Sequence, residues 1–309
     1  MPRGIAIIVA LLVAGSEAHA ASAYDDAFAA YRKGDYALAL KLMKPLADAG
    51  NVNAQYNIGV MYNENLVKQD YAEAAKWFQK AAAQGNVFAE VDLGTLYEYG
   101  RGVKTNYAEA LRLFNLAAEK KNPTAELNIG SMYERGIGAP QDYKKAADWY
   151  RLSGDHGNGD AQYNLGLMYQ SGHGVQQDFK QAAAWYKKAA DQSNPSAELN
   201  LGALYYDGKG VPKSPKDAMK YFRQAAQAGN AHAQFNLATL YTNGDTGVPQ
   251  DLPRAFIWFT AAAVNLTGAE AKTADENSKA VAAAMNRDQV AKAKEIGGKC
   301  KQGDYKACD

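Results

Sequence analysis

The side chains in this sequence that could do chemistry are few and far apart. Of the four histidines, His19 falls in an apolar N-terminal stretch, which leaves His156, His173 and His232. Zinc takes three or four ligands at about 2 Å, so these three would have to converge on one point. His156 lies before a stretch of helical periodicity and His173 just after it, at opposite ends of a helix about 20 Å long. His232 is on the order of 20 Å from His156 if helices stack about 8 to 10 Å apart. No metal site is expected. Ser153, Asp155 and His156 contain a nucleophile, an acid and a base, but residues so close in one turn rarely present triad geometry. Glycine pairs at Gly100 and Gly102, Gly136 and Gly138, Gly172 and Gly174, and Gly208 and Gly210 could cradle phosphate. They lack the lysine of a Walker loop and any dinucleotide fingerprint, and read as turns needing positive φ. No cofactor and no catalytic residue are assigned.

The elements that would position these residues are repeated helix pairs. Asp160 to Gln192 reads as two amphipathic helices joined by a glycine turn, with Ala161, Leu165, Gly166 and Tyr169 on one side of a 3.6-residue period. Near-copies fill most of the remaining sequence. Gly59, Gly94, Gly130, Gly166, Gly202 and Ala238 follow one another at intervals of 35, 36, 36, 36 and 36 residues, and a tyrosine stands three residues after each, from Tyr62 to Tyr241. In the second helix Ala74, Ala110, Ala146, Ala182, Ala218 and Ala255 precede a large side chain by three, from Trp77 to Trp258. A pair of this size cannot bury its apolar face alone, so it stacks on its neighbours.

The succession L-G-x-x-Y, G-x-G-V, D-x-x-x-A-x-x-W and A-A resembles the Sel1-like repeat, a variant of the tetratricopeptide repeat with a longer internal turn. The resemblance implies an all-α fold, a right-handed α-solenoid of helix-turn-helix repeats. It covers six copies over residues 51–265; the first, with N-E-N-L-V-K-Q-D, lacks the turn glycines, and the last is one residue long. Residues 21–50 resemble an ordinary tetratricopeptide unit capping the array, and residues 266–309 read as closing helices over Gly268 to Met285 and Arg287 to Ile296.

Residues 1–20 have Arg3 near the start, an apolar run from Ile5 to Ala14 and a small-x-small site at Ala18-His19-Ala20. That is the pattern of a signal peptide cleaved after Ala20. The run is too short to span a bilayer, so the mature chain is expected in a periplasm or outside the cell with no stable membrane anchor. In an exported chain the two cysteines, Cys300 and Cys308, suggest a disulfide, and their spacing resembles the bridged pairs of cysteine-rich Sel1-like proteins.

Lysine plus arginine (34) nearly balances aspartate plus glutamate (33), which argues against nucleic acid as the partner. By resemblance, the first helices line a groove for a protein or peptide. One stripe of that face holds Tyr56, Val91, Leu127, Tyr163, Leu199 and Phe235, and another holds Asn63, Glu98, Glu134, Gln170, Tyr206 and Thr242. An apolar floor with a polar rim suits a peptide, although the first stripe could equally be core between helices. Residues that differ between copies are the better specificity candidates: Tyr56, Glu98, Glu134, Tyr163, Tyr206 and Phe235. A further series, Asn57, Asp92, Asn128, Asn164, Asn200 and Asn236, barely varies and reads as an internal hydrogen bond made in each copy. The expected function is a noncatalytic exported scaffold, with envelope signalling or exopolysaccharide assembly as settings the resemblance suggests. The alternative is a β-lactam-binding hydrolase, described for cysteine-rich relatives, but no serine here has a lysine three residues later, as that chemistry would need.

Overall fold

The computed structural model describes residues 23–300 and 305–308. The expected leader over residues 1–20, and Gly303 and Asp304 between the cysteines, lie outside the described residues. Helix starts are set by short polar side chains. Asn51, Asn86, Asn122, Asn158, Asn194 and Asn230 each cap the first helix of a pair, accepting the amide of the residue three further on at 2.9 to 3.0 Å. Asp70, Asn106, Asp142, Asp178, Ser214 and Asp251 cap the second helices, and each such cap contributes about 1 kcal/mol. The reciprocal half of a capping box is missing at Asp70 and Asn106, because Glu73 turns to Lys76 and Glu109 to Arg112. A complete box forms at Asn286 with Gln289.

Two compact units result, divided at Gln141 and Asp142. In the first, α1 (23–32) and α2 (Tyr36–Asp48) precede α3 (Val52–Asn63), α4 (Tyr71–Ala83), α5 (Val87–Tyr99), α6 (Tyr107–Glu119) and α7 (Pro123–Arg135). The second holds α8 (Tyr143–Asp155), α9 (Gly159–Ser171), α10 (Phe179–Ala190), α11 (Pro195–Asp207), α12 (Pro215–Gln227), α13 (Ala231–Asn243) and α14 (Leu252–Asn265). It ends with α15 (Gly268–Ala283), α16 (Arg287–Lys299) and a 3₁₀ turn, Tyr305–Cys308. Among the described residues there is no strand, only an isolated bridge between Asp245 and Val248, which absorbs the extra residue of the last copy. In the first copy Asn65 takes φ 56° where later copies use glycine, asparagine being one of the few other residues that tolerate it.

Within each unit, α3 packs on α4, α5 on α6, α9 on α10 and α11 on α12. The glycine of the L-G pair sets that distance. A Cβ on Gly59 would lie 2.5 Å from the Phe78 ring, and one on Gly166 would lie 2.6 Å from the Tyr186 ring, so only glycine lets these rings lie flat on the helix. The ring concerned comes one residue after the large residue that the sequence pattern singles out. Trp77 and Trp185 instead lie beneath lysine ammonium groups, Lys80 at 4.0 Å and Lys188 at 3.5 Å from the ring centres.

Two ladders join successive pairs. The recurring tyrosine accepts from a second-helix side chain 18 residues earlier: Gln79 to Tyr97 at 3.1 Å, Arg151 to Tyr169 at 3.1 Å, Arg223 to Tyr241 at 2.6 Å. A deeper ladder of glutamine and glutamate follows the small alanine of each first helix, and Gln55, Glu90, Glu126, Gln162, Glu198 and Gln234 are all buried. Gln55, Gln162 and Gln234 donate to the carbonyl eight residues back, at 2.9, 2.8 and 3.2 Å. They then accept from Gln84, Gln192 and Asn265 at 2.8, 2.9 and 3.0 Å. Glu90 cannot donate, and takes Lys120 at 2.6 Å instead. Sequence alone does not mark this ladder, because alternation of Gln and Glu looks like ordinary helix surface until burial is known.

Candidate partner-binding surface

In the first unit the face formed by the first helices is closed more tightly than the sequence suggests. Tyr56 is half-buried, with its ring 5.8 Å from that of Phe78 and 5.9 Å from that of Phe88. Phe88 is 58% exposed and had no place in the pattern of candidates. Val91 is buried and Leu127 half-buried. Asp92, the one acid in the asparagine series, shares a hydrogen bond with the Tyr56 hydroxyl, and burial pushes its carboxyl up to about 6. Glu98 is 8% exposed and bonded to Arg135 at 2.6 Å, so its charge is already matched within the chain. Glu134 is half-buried, and its carbonyl accepts from Gln141 at 2.8 Å.

In the second unit the same face opens. Tyr163 is half-buried against Tyr186, ring centres 5.9 Å apart. Tyr206 is 37% exposed, with the Lys213 ammonium 5.7 Å from its ring. Phe235 meets Phe259 edge-on at 5.2 Å and lines a cavity of about 620 Å³. Leu199, Ala203 and Phe235 form its floor, and Leu266 and Ala269, at the end of α14 and start of α15, form a wall. Its rim carries Asn200, Asn236 and a contact of His232 Nε2 with the Glu270 carboxylate at 3.4 Å. The stripe is thus neither wholly core nor wholly groove. It is half-buried in general and opens where α15 turns back to make a second side. Leu266 and Ala269 carried no sequence signal as site residues, since an alanine-rich terminal segment reads only as a cap.

The asparagine series divides in the same way. Asn57 donates to Tyr24 at 2.8 Å and Asn200 bonds to the Tyr186 hydroxyl, so the hydrogen bond is internal but its partner changes from copy to copy. Asn200 and Asn236 also present themselves to the cavity. The remaining reactive side chains are dispersed. His156 is the C-terminal cap of α8 and His173 stacks on Tyr143 at 5.2 Å. Ser153 is fully buried, and Asp155, in the last turn of α8, lies 3.7 Å from Lys188. Among the described residues no three potential metal ligands come together, and no helix is long and apolar enough to cross a membrane. Cys300 and Cys308 form a disulfide with Cα atoms 5.2 Å apart. Beside it Tyr305 is buried and accepts from Asn265 at 2.7 Å, which ties the end of the chain to α14.

This arrangement of paired helices has close counterparts. A Sel1 repeat protein from Oxalobacter formigenes is 32% identical, with a TM-score of 0.73, over 79% of this chain and 100% of that one. The c5321 protective antigen of uropathogenic Escherichia coli, which displays an SLR fold, is 27% identical with a TM-score of 0.61, over 96% of this chain and 72% of that one. Among curated proteins, none matches this chain. The Sel1 repeat profile matches seven consecutive stretches, residues 20–51, 52–86, 87–122, 123–158, 159–194, 195–230 and 231–263. The first of them takes in the N-terminal helix pair as a repeat in its own right. With matches over most of its length and the helix pairing they require, the chain belongs to the Sel1 repeat family.

Proposed function

We propose that this chain is a noncatalytic, exported scaffold that holds a segment of a partner protein in the cavity between α11, α13 and α15. Sel1 repeat proteins generally mediate protein–protein interaction, and the cavity is the observation that carries the reading here. Its apolar floor of Leu199, Ala203 and Phe235 accepts a hydrophobic side chain. Asn200 and Asn236, one repeat apart on the rim, each offer both a donor and an acceptor, which is what the backbone of an extended segment requires. A disulfide-closed C-terminus supports an oxidising compartment, in keeping with the signal-peptide pattern of residues 1–20. Envelope signalling and exopolysaccharide assembly are the settings the family resemblance suggests.

A photocrosslinking residue at Ala203 tests the reading, with one at Lys220 on α12 as control. Ala203 is expected to give a saturable adduct in envelope preparations that Lys220 does not. Tyr163→Ala combined with Phe235→Ala is expected to weaken that adduct at least tenfold, with helicity unchanged. Equal labelling from both positions, or an adduct indifferent to the double substitution, refutes it.

A further inference from the structure

Among the described residues, one rung of the buried Gln/Glu ladder, Glu198, has no polar side chain opposite it. In four repeats the rung is answered by a polar side chain where the following second helix ends: Gln84 for Gln55, Lys120 for Glu90, Gln192 for Gln162 and Asn265 for Gln234. In the repeat opened by α11 the rung is Glu198 and the answering position, 36 residues after Gln192, is Ala228. Glu198 is 4% exposed, and while its backbone amide donates to the Asn194 carbonyl at 3.0 Å, its side chain makes no hydrogen bond or ion pair with any described residue. Glu90 Oε2 is sealed from solvent without a partner; neither oxygen of Glu198 is sealed in that way.

We propose that the notch between Glu198 and Ala228 is a receptor for a primary ammonium group, the end of a lysine side chain on the bound chain. The sister repeat shows the ligand in place. Lys120 Nζ sits 2.6 Å from Glu90 Oε1 and 3.0 Å from the Gly85 carbonyl oxygen, and the counterparts of those acceptors here are Glu198 and the carbonyl of Ser193. Alanine at 228 stops at Cβ and supplies no ammonium of its own. A compact ammonium with three rotatable donors fits two acceptors from different elements better than the planar fork of arginine does. A lone carboxylate out of water is costly, and burial pushes Glu198 up to about 7, so below that pH its carboxyl holds a proton that the ammonium must displace. Binding then weakens about tenfold for each pH unit below 7 and levels off above it, until the amine itself loses its proton near pH 10.4. The inference rests on the scaffold reading for the source of the lysine; the receptor can be tested without it.

The probe is n-butylammonium, added at pH 8 to the full chain carrying ¹³C-glutamate, with the Glu198 carboxyl resonance as readout. A saturable shift is expected in the native protein. It should be absent after Ala228→Lys and from tetramethylammonium, which has no N–H donor. Lys120→Ala creates the same notch beside Glu90 and should add a second responding resonance there. A Glu198 resonance that does not move, or that moves equally with tetramethylammonium, overturns the proposal. If n-butylammonium binds but Ala228→Lys leaves the Ala203 adduct unchanged, the bound chain does not supply the lysine. That result refutes the lysine assignment while leaving the cavity reading intact.

Discussion

Replacing Glu198 by glutamine should stabilise the protein above neutral pH and leave it almost unchanged in acid. At the same rung Gln55, Gln162 and Gln234 each donate to the carbonyl eight residues back, at 2.9, 2.8 and 3.2 Å. For position 198 that carbonyl belongs to Ala190, and an ionised carboxylate cannot donate to it. Desolvation raises the Glu198 carboxyl from 4.5 to about 7. The folded chain therefore holds a proton that the unfolded chain releases, and the stability this gives is present below pH 4.5 and lost as pH rises to about 7. At 1.36 kcal/mol per pKa unit the full loss is at most about 3.5 kcal/mol, and less where solvent relaxes around the carboxylate. Glutamine keeps the donor at every pH. The assay is denaturant unfolding followed by circular dichroism from pH 4.5 to 8.5, read as Glu198→Gln minus native. Taking the difference cancels the contribution of Asp92, which burial raises to about 6 in both proteins. The variant is expected to match the native chain near pH 4.5 and to exceed it by about 2 to 3 kcal/mol at pH 8. A difference that does not change with pH, or a native chain that is the more stable at pH 8, would refute the reasoning.

Further outcomes follow from the same contacts. Lys120→Ala strands the Glu90 carboxylate, 2% exposed, and should cost about 3 kcal/mol, whereas Glu90→Gln with Lys120→Gln rebuilds the Gln55–Gln84 pair and should recover most of it in the same melts. Gly166→Ala puts a methyl 2.6 Å from the Tyr186 ring. An overpacking loss of about 1 to 3 kcal/mol is expected, reduced when Tyr186→Leu is added, and equal stability of Gly166→Ala and the native chain would contradict it. Breaking the Cys300–Cys308 link, which closes a short loop, should cost about 2.5 kcal/mol and free Tyr305 from Asn265. Thiol titration of the purified protein should find no reactive thiol, and two would remove the staple.

How much was legible in advance depended on whether a feature repeats along the chain or arises between its repeats. The 36-residue register, the Asn and Asp caps and the glycine turns could be read directly, because helix propensity, capping and positive φ are local requirements that a few neighbouring residues satisfy. Six copies made those weak signals add. The all-α repeat architecture follows from them. What decides contact between pairs could not be read this way. Glu98 looks like a rim acid until Arg135, 37 residues later, is found 2.6 Å away. Glu198 looks like any helical glutamate until the other rungs show that Ala228 stands where a partner belongs. The cavity under Phe235 exists because α15 folds back beside α13, and nothing in an alanine-rich segment specifies which side it will cover. Sequence alone determined the modules and their order, since each module is stabilised largely by its own caps, turns and paired faces. Which polar groups are sealed, which are matched and where the surface opens depended on tertiary structure, because desolvation belongs to the packed assembly and not to any one residue.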